Sequence, residues 1–281
     1  MANVAVITRT KDRPLLLPRA ILSVATQTYG DLEHVIVNDG GDPAPVEALI
    51  DGQPDPVRRR IRIIHNAESR GMERASNIGI AASDSRHLVI HDDDDSWDPK
   101  FLARMVPCLE EATWPSLAGA VCHSARVEER VIDGPEGPSV KTDNVAGWNT
   151  ALKTVGLMDM LAWNQFPPIS FLFERRALDQ VGPYREDLPV LGDWEFNVRF
   201  LSAFDILVVP QVLARYHHRL TGPPGQETIY DNTVTVGADR HQFYETLLRN
   251  EWLRADLKAG RLGLGMAANV ARQVVGAPKI G

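Results

Sequence analysis

Leu88-Val89-Ile90-His91-Asp92-Asp93-Asp94-Asp95-Ser96-Trp97-Asp98-Pro99 is the stretch whose reading decides the fold. Its apolar, β-branched start predicts a buried strand, and that strand empties into consecutive carboxylates before a helix begins. Adjacent carboxylates about 4 Å apart repel by roughly 4 kcal/mol per pair at an effective dielectric of about 20, so something must offset them. Helix capping covers part of the run: Asp98 suits an N-cap, Pro99 the first helical position, and Trp97 a staple onto Leu102. Asp92 to Asp95 remain, too many for one helix terminus. A divalent cation answers the charge, and hard oxygen ligands suit Mg²⁺ or Mn²⁺, which are usually held by one or two carboxylates together with substrate phosphates. In an extended segment i and i+2 share a side, so Asp92 and Asp94 are expected to face one ligand while Asp93 and Asp95 face away.

Outward from this stretch, strands alternate with helices. Val4 to Ile7 is an apolar run that ends in Thr8-Arg9-Thr10-Lys11-Asp12-Arg13-Pro14, followed by an amphipathic segment from Leu15 to Thr28. His34 to Asn38 is a second strand ending in Asp39-Gly40-Gly41-Asp42-Pro43, and Ile61 to Ile64 a third, ahead of Arg70 and a helix from Met72 to Ala82. Such alternation implies βαβ units and a mainly parallel sheet, with ligands bound beyond the carboxyl ends of the strands. Thr8, Asp39, Arg70 and the Asp92 to Asp95 run would then line one crevice.

After a Lys100 to Glu111 helix the alternation weakens. Leu117 to Ser124 and Ala125 to Ile132 read as two strands, Asp133 to Pro138 as a turn-rich loop, and Val145 to Phe166 as helical. A helix follows Gly192-Asp193, then strands at Ile206 to Val209 and Val212 to Tyr216 with His217-His218-Arg219 at the exit. Leu220 to Gln226 reads as a loop or lid, and Arg240 to Leu257 and Met266 to Val275 as C-terminal helices. The expected division is residues 1–115 as a regular α/β half, 116–218 as a second half of the same domain, and 219–281 as lid-like loop and helices.

Composition narrows the function. The chain has 281 residues, 44% hydrophobic and 24% charged, enough for a sizeable core. A formal net charge of −7 argues against nucleic-acid binding by phosphate neutralisation. Cys108 and Cys122 give neither a disulfide framework nor zinc-ligand spacing. The start of the chain lacks the basic and apolar regions of a signal peptide, and no segment reaches about 18 apolar residues. The expectation is a cytoplasmic protein, with peripheral contact at the inner face of a membrane as the alternative.

In order, Val4 to Thr10 with Arg13-Pro14, Ser23 with Gln27-Thr28-Tyr29, Val35 to Gly41, Asn77 to Ile80, Asp92 to Pro99, and Gly192 to Glu195 before Arg199 resemble a family 2-type glycosyltransferase of GT-A fold. The resemblance covers about residues 3 to 218. It implies an α/β architecture, Rossmann-like, with helices on both faces of a mainly parallel central sheet, plus a C-terminal helical extension. It also implies transfer of a sugar from a nucleotide diphosphate donor to an acceptor hydroxyl.

Carried over residue by residue, Thr8, Thr10 and Asp39 contact the nucleotide. A carboxylate accepts well from the N3–H of uracil or thymine or the N1–H of guanine, so UDP, dTDP or GDP sugars are favoured over cytidine donors. Arg70 would reach base or diphosphate. Asp94 is the first metal ligand and Asp92 the next, with Asp92 and Asp93 beside the ribose. His218 or His217 would add a ligand for metal or phosphate; a histidine pair hydrogen-bonded at a strand end is the alternative. Asp193 stands at the catalytic-base position, with Glu195 as the fallback and an N-cap of the Trp194 helix as the structural alternative. Trp148, Trp163 and Trp194 could stack on sugar or pack the core. The chain departs from the family pattern at Arg9, where proline is common, at Ser76, where arginine is common, and at Gly192, where an acid is usual.

The resemblance points to a metal-dependent, inverting enzyme that builds a surface polysaccharide or glycolipid, with a glycan or glycolipid as acceptor. A non-catalytic nucleotide- or glycan-binding module and a sugar-phosphate nucleotidyltransferase are the rivals. The second would want a glycine-rich loop where Thr8 to Pro14 has none.

Overall fold

The first strand, β1 (Val4–Thr10), has no exposed surface from Val4 to Ile7, and its period-2 alternation divides those residues between two cores. Val4 and Val6 face a layer with Phe101, Leu102, Met105 and Val106, while Ala5 and Ile7 face Ala75, Ile80 and Trp194. A strand buried on both faces must therefore lie inside a sheet covered by helices on both sides. Each fully buried apolar side chain of this kind contributes about 1.5–3 kcal/mol relative to an exposed one. The computed structural model describes residues 2–135, 137–219, 228–232 and 238–275.

Four strands form the parallel half: β1, β2 (Leu32–Asp39), β3 (Ile61–Asn66) and β4 (His87–Ile90), in the spatial order β3-β2-β1-β4. Helices α1 (Leu17–Ala25), α2 (Pro43–Asp51), α3 (Asp55–Arg58) and α4 (Met72–Ala81) make the connections. Helix α4 lies so close to β1 that a Cβ on Gly79 would stand 2.4 Å from Ile7 Cγ2. All four strands point the same way, so Thr10, Asp39, Asn66 and the Asp run after Ile90 arrive at one edge.

Past β4 the sheet continues through β8 (Phe171–Glu174), β6 (Leu117–Gly134), β9 (Asp205–Arg219) and β5 (Ser96–Trp97), with β7 (Gly137–Gly147) paired to the outer part of β6. β8 is antiparallel to both β4 and β6, whereas β6 and β9 run parallel. Helix α5 (Phe101–Glu110) covers one face; α6 (Leu157–Ala162), α7 (Leu178–Val181) and α8 (Gly192–Leu201) belong to the other side. C-terminal α9 (Ala238–Ala259) and α10 (Leu264–Val275) dock there through Arg249, whose guanidinium donates to Ala268 O at 2.6 Å and Ala162 O at 3.0 Å and lies over Trp194.

Several expectations change in this half. The two strands expected over 117–132 are one continuous β6. The two expected over 206–216 are one β9, whose register against β6 skips at Pro210-Gln211 between the Cys122–Val209 and His123–Val212 pairs. Proline has no N–H to give the ladder, so the strand bulges there and resumes. The helix expected from Val145 to Phe166 shrinks to Leu157–Ala162, because β7 claims residues through Gly147 and Gly156 delays the start. The Leu220 to Gln226 lid lies outside the described residues. Among the described residues no helix is long and apolar enough to cross a membrane.

Candidate active site

The residues after β4 are not extended. Asp95 N donates to Asp92 O at 3.3 Å and closes a turn, so strand alternation stops at Ile90. As a result Asp92, Asp93 and Asp94 all line one cleft of about 240 Å³, instead of Asp92 and Asp94 alone. Asp95 does turn away: one oxygen accepts from His217 N at 2.8 Å and the other is buried without a hydrogen bond. Burial and its neighbouring aspartates push its carboxyl well above the ordinary range. Trp97 stacks on Phe101 in the buried cluster that also holds Leu102, and Asp98 accepts from Lys100 N at 2.9 Å just ahead of α5, which begins at Phe101 and not at Pro99.

Guanidinium groups balance the run. Arg9 pairs with Asp92; Arg13 bridges Asp93 at 2.8 Å and Asp94 at 2.9 Å; Arg219, with no exposed surface, pairs with Asp94 and reaches Glu129 at 3.3 Å. Burial works to raise the Asp94 carboxyl, but Arg13 and Arg219 outweigh it and hold it below its usual range. For Asp93 burial wins over Arg13, and its carboxyl is pushed up to about 7. Arg9, Arg13 and Lys11 line the cleft, and sequence reading assigned none of them a role. The signal was present in the cations of the β1 exit, which fall opposite the aspartates once β1 and β4 pair.

Thr10 Oγ1 donates to Asp93 Oδ2 at 2.8 Å and lines the cleft. Thr8 does not: one pleat deeper, it is fully buried and bonded to His34 Nε2 at 2.8 Å. Asp39 lines the cleft, yet its carboxylate accepts from Asn66 Nδ2 and Ser69 Oγ, each at 2.8 Å, and from the amides of Arg70 and Gly71 at 2.9 Å. Burial opposes ionisation of Asp39, but these donors together hold it below its ordinary value. Its acceptor capacity is committed to the 66–71 loop. The Arg70 side chain points to Glu68 at 3.0 Å, is 43% exposed, and stays out of the cleft.

Asp193 sits in the first turn of α8, beside the cleft and not on its lining. It is not the helix N-cap; Leu191 is, in a left-handed conformation with φ 65°. Asn164 Nδ2 donates to Asp193 Oδ2 at 2.7 Å, and Asn197 Nδ2 donates to Asn164 Oδ1 at 3.1 Å. This chain of amides orients the carboxylate, and burial raises its pKa, which strengthens it as a base. The fallback Glu195 is buried and committed to Arg199 at 2.7 Å. Trp194 is core, its Nε1 donating to Met160 O at 2.6 Å.

The residues present fit a divalent cation. His217 is spent on Glu129 and Ser96, each at 2.8 Å, whereas His218 Nε2 is buried with no hydrogen-bond partner. Burial holds the His218 imidazole neutral down to about 4, so its lone pair is available, and Asp94 is close enough for its charge to act on it. Among the described residues no cluster of three or more His, Cys, Asp or Glu is assembled for a metal. A site with few protein ligands completed by diphosphate oxygens is the usual arrangement for Mg²⁺.

The fold and this cleft define an α/β scaffold with acids and guanidinium groups gathered at the carboxyl edge of its parallel strands, and comparison with known proteins places it. The model of glycosyl transferase family 2 matches residues 5–150, just over half of the chain. An uncharacterized glycosyltransferase, YwdF of Bacillus subtilis, is 23% identical over 87% of this chain and 82% of its own length. A PGL/p-HBAD biosynthesis glycosyltransferase of Mycobacterium tuberculosis is 27% identical over 82% of this chain and 79% of its own. Among solved structures, the mannosyltransferase PcManGT of Pyrobaculum calidifontis, in complex with GDP-Man and Mn²⁺, superposes with a TM-score of 0.57 at 19% identity over 76% of this chain. S. aureus TarS 1–349 in complex with UDP-GlcNAc superposes with 0.61 at 14% over 81%. The chain spans 56% and 62% of those two structures' lengths. The chain belongs to glycosyl transferase family 2, and its fold is GT-A.

Proposed function

We propose that this chain is a metal-dependent, inverting glycosyltransferase that moves a sugar from a UDP, dTDP or GDP sugar to a hydroxyl of a glycan or glycolipid. The observation that carries this reading is the cleft itself. Asp92, Asp93 and Asp94 meet Arg9, Lys11 and Arg13 at the carboxyl edge of a parallel sheet, with an oriented carboxylate, Asp193, beside them. The nucleotide-sugar complexes of the structural relatives support a donor of this class.

In this reading Asp94, with Asp92 and His218, would hold Mn²⁺ or Mg²⁺, and the ion would supply positive charge where a diphosphate departs. Arg13 and Lys11 add positive charge on the same side. Asp193 takes the proton of the acceptor hydroxyl as it attacks, help of a kind that contributes about 10²–10⁴-fold. Direct in-line attack inverts the anomeric centre. A glycolipid acceptor would bring the chain to the inner membrane face from the cytoplasm.

The test is a screen of UDP, GDP and dTDP sugars with Mn²⁺ for hydrolysis, transfer and binding, with and without EDTA. Turnover that EDTA removes is the expected result; neither activity nor binding for any donor ends the transferase reading. In the active combination, Asp193→Asn should lower kcat by about 10²–10⁴-fold with donor affinity retained. A lowered melting temperature with unchanged kcat would make Asp193 structural.

A further inference from the structure

Glu73, in the first turn of α4, has no role in the chemistry above, yet its carboxyl is buried at the site. It lies against the start of α8: a Cβ on Gly192 would stand 2.3 Å from Glu73 Cδ and 2.4 Å from its Oε1. Gly192 is not among the glycines with positive φ, so its backbone does not demand glycine. Its neighbour does. Glu73 Oε2 makes no hydrogen bond and has Arg9 Nη1 at 3.6 Å. The same guanidinium accompanies Asp92 and donates to Ser76 Oγ at 3.2 Å. Arg9 thus brings a cation to Ser76 from β1, and Glu73 brings an acid to Gly192 from α4.

We propose that Glu73, paired with Arg9, is a positioning residue for Asp193: it fills the space above Gly192 and fixes the first turn of α8 against the Asp92 side of the cleft. The inference rests on the transferase reading above. Stability alone is a poor reason for such a pair, because taking both charges out of water offsets their attraction and one oxygen here stays unsatisfied. The left-handed Leu191 immediately before Gly192 is a strained conformation that persists only where its surroundings hold it. Glu73 is part of that hold. Burial pushes the Glu73 carboxyl up to about 7, with Arg9 opposing and Asp193 among the charges acting on it.

The experiment compares wild type, Glu73→Ala, Gly192→Ala and the double variant Glu73→Ala/Gly192→Glu, which returns the acid from α8. Each is measured for kcat of donor-sugar hydrolysis, donor Kd by calorimetry with Mn²⁺, and melting temperature. Displacing a reacting group by about 1 Å can cost ~10²-fold. Each single variant should therefore lose about tenfold or more in kcat with donor Kd within about twofold, and the double variant should recover most of the loss. Singles that keep wild-type kcat overturn the inference and leave the transferase reading standing. So does a loss that follows melting temperature alone with no recovery in the double variant. A wild type that turns over no donor overturns the transferase reading, and this inference with it.

Discussion

In the parallel half, the acid at a strand end is satisfied locally: Asp39 takes its hydrogen bonds from Asn66, Ser69, Arg70 and Gly71, all within the β2 to α4 stretch. In the mixed half, Arg219 leaves β9 to pair with Asp94, 125 residues earlier, and with Glu129, 90 residues earlier. Glu129 is gripped as well by Arg19 of α1 at 2.9 Å and by His217 at 2.8 Å. The carboxylate run after β4 is thus tolerated because cations arrive from both halves, and the seam between them is where the charge is balanced.

The sharpest way to break that comparison is Arg219→Met. It leaves Asp94 and Glu129 buried with one partner fewer, and removing one member of a buried ion pair costs about 3–5 kcal/mol. A large fall in melting temperature is expected; a fall no greater than that of an exposed arginine such as Arg130→Met would show that the halves do not depend on the seam. Asp39→Asn is expected to cost less, about 1–3 kcal/mol, because amide donors on its loop lose an acceptor. Limited proteolysis should then cut between Asn66 and Gly71 first. Cleavage elsewhere would mean that the loop is held by something other than Asp39.

The effect that is smallest at neutral pH concerns His34, buried beneath Thr8, whose imidazole burial pushes down to about 3. The unfolded chain protonates it near 6.5, so the unfolded state binds the extra proton below that pH. The contribution of His34 is complete above about 6.5 and is lost as pH falls toward 3, at up to about 1.4 kcal/mol per pH unit. Melting curves from pH 7 to 4 should therefore fall less steeply for His34→Gln than for wild type. Equal slopes would remove His34 from the acid sensitivity of the parallel half.

The parallel half was legible because its strands are short apolar runs that end in polar turns, and because the segments that form α1 and α4 show helical spacing; the four-residue α3 is too short to show any. β6 and β9 were read as fragments because their continuity depends on pairing with strands far away in sequence, and because Pro210 looks like an ending when it is only a bulge. At the site, the residue types after β1, β2 and β4 identified the cleft. Thr8 was misplaced because strand alternation gives the side of a residue and not its depth. Arg70 carried the right charge in the right loop, but its backbone amide, not its guanidinium, faces inward. Glu73 left no local trace; its only sign was a glycine at 192 that nothing nearby in sequence explains.

Since the oxygens of Asp39 are already occupied, any incoming N–H that binds there must evict a donor of the chain's own making. Were a nucleobase to bind at that carboxylate, discrimination there would be a competition, in which a guest is accepted to the extent that it replaces what the segment from Asn66 to Gly71 gives up. Guest capture and the unfastening of that segment are two readings of a single equilibrium, measurable from either side.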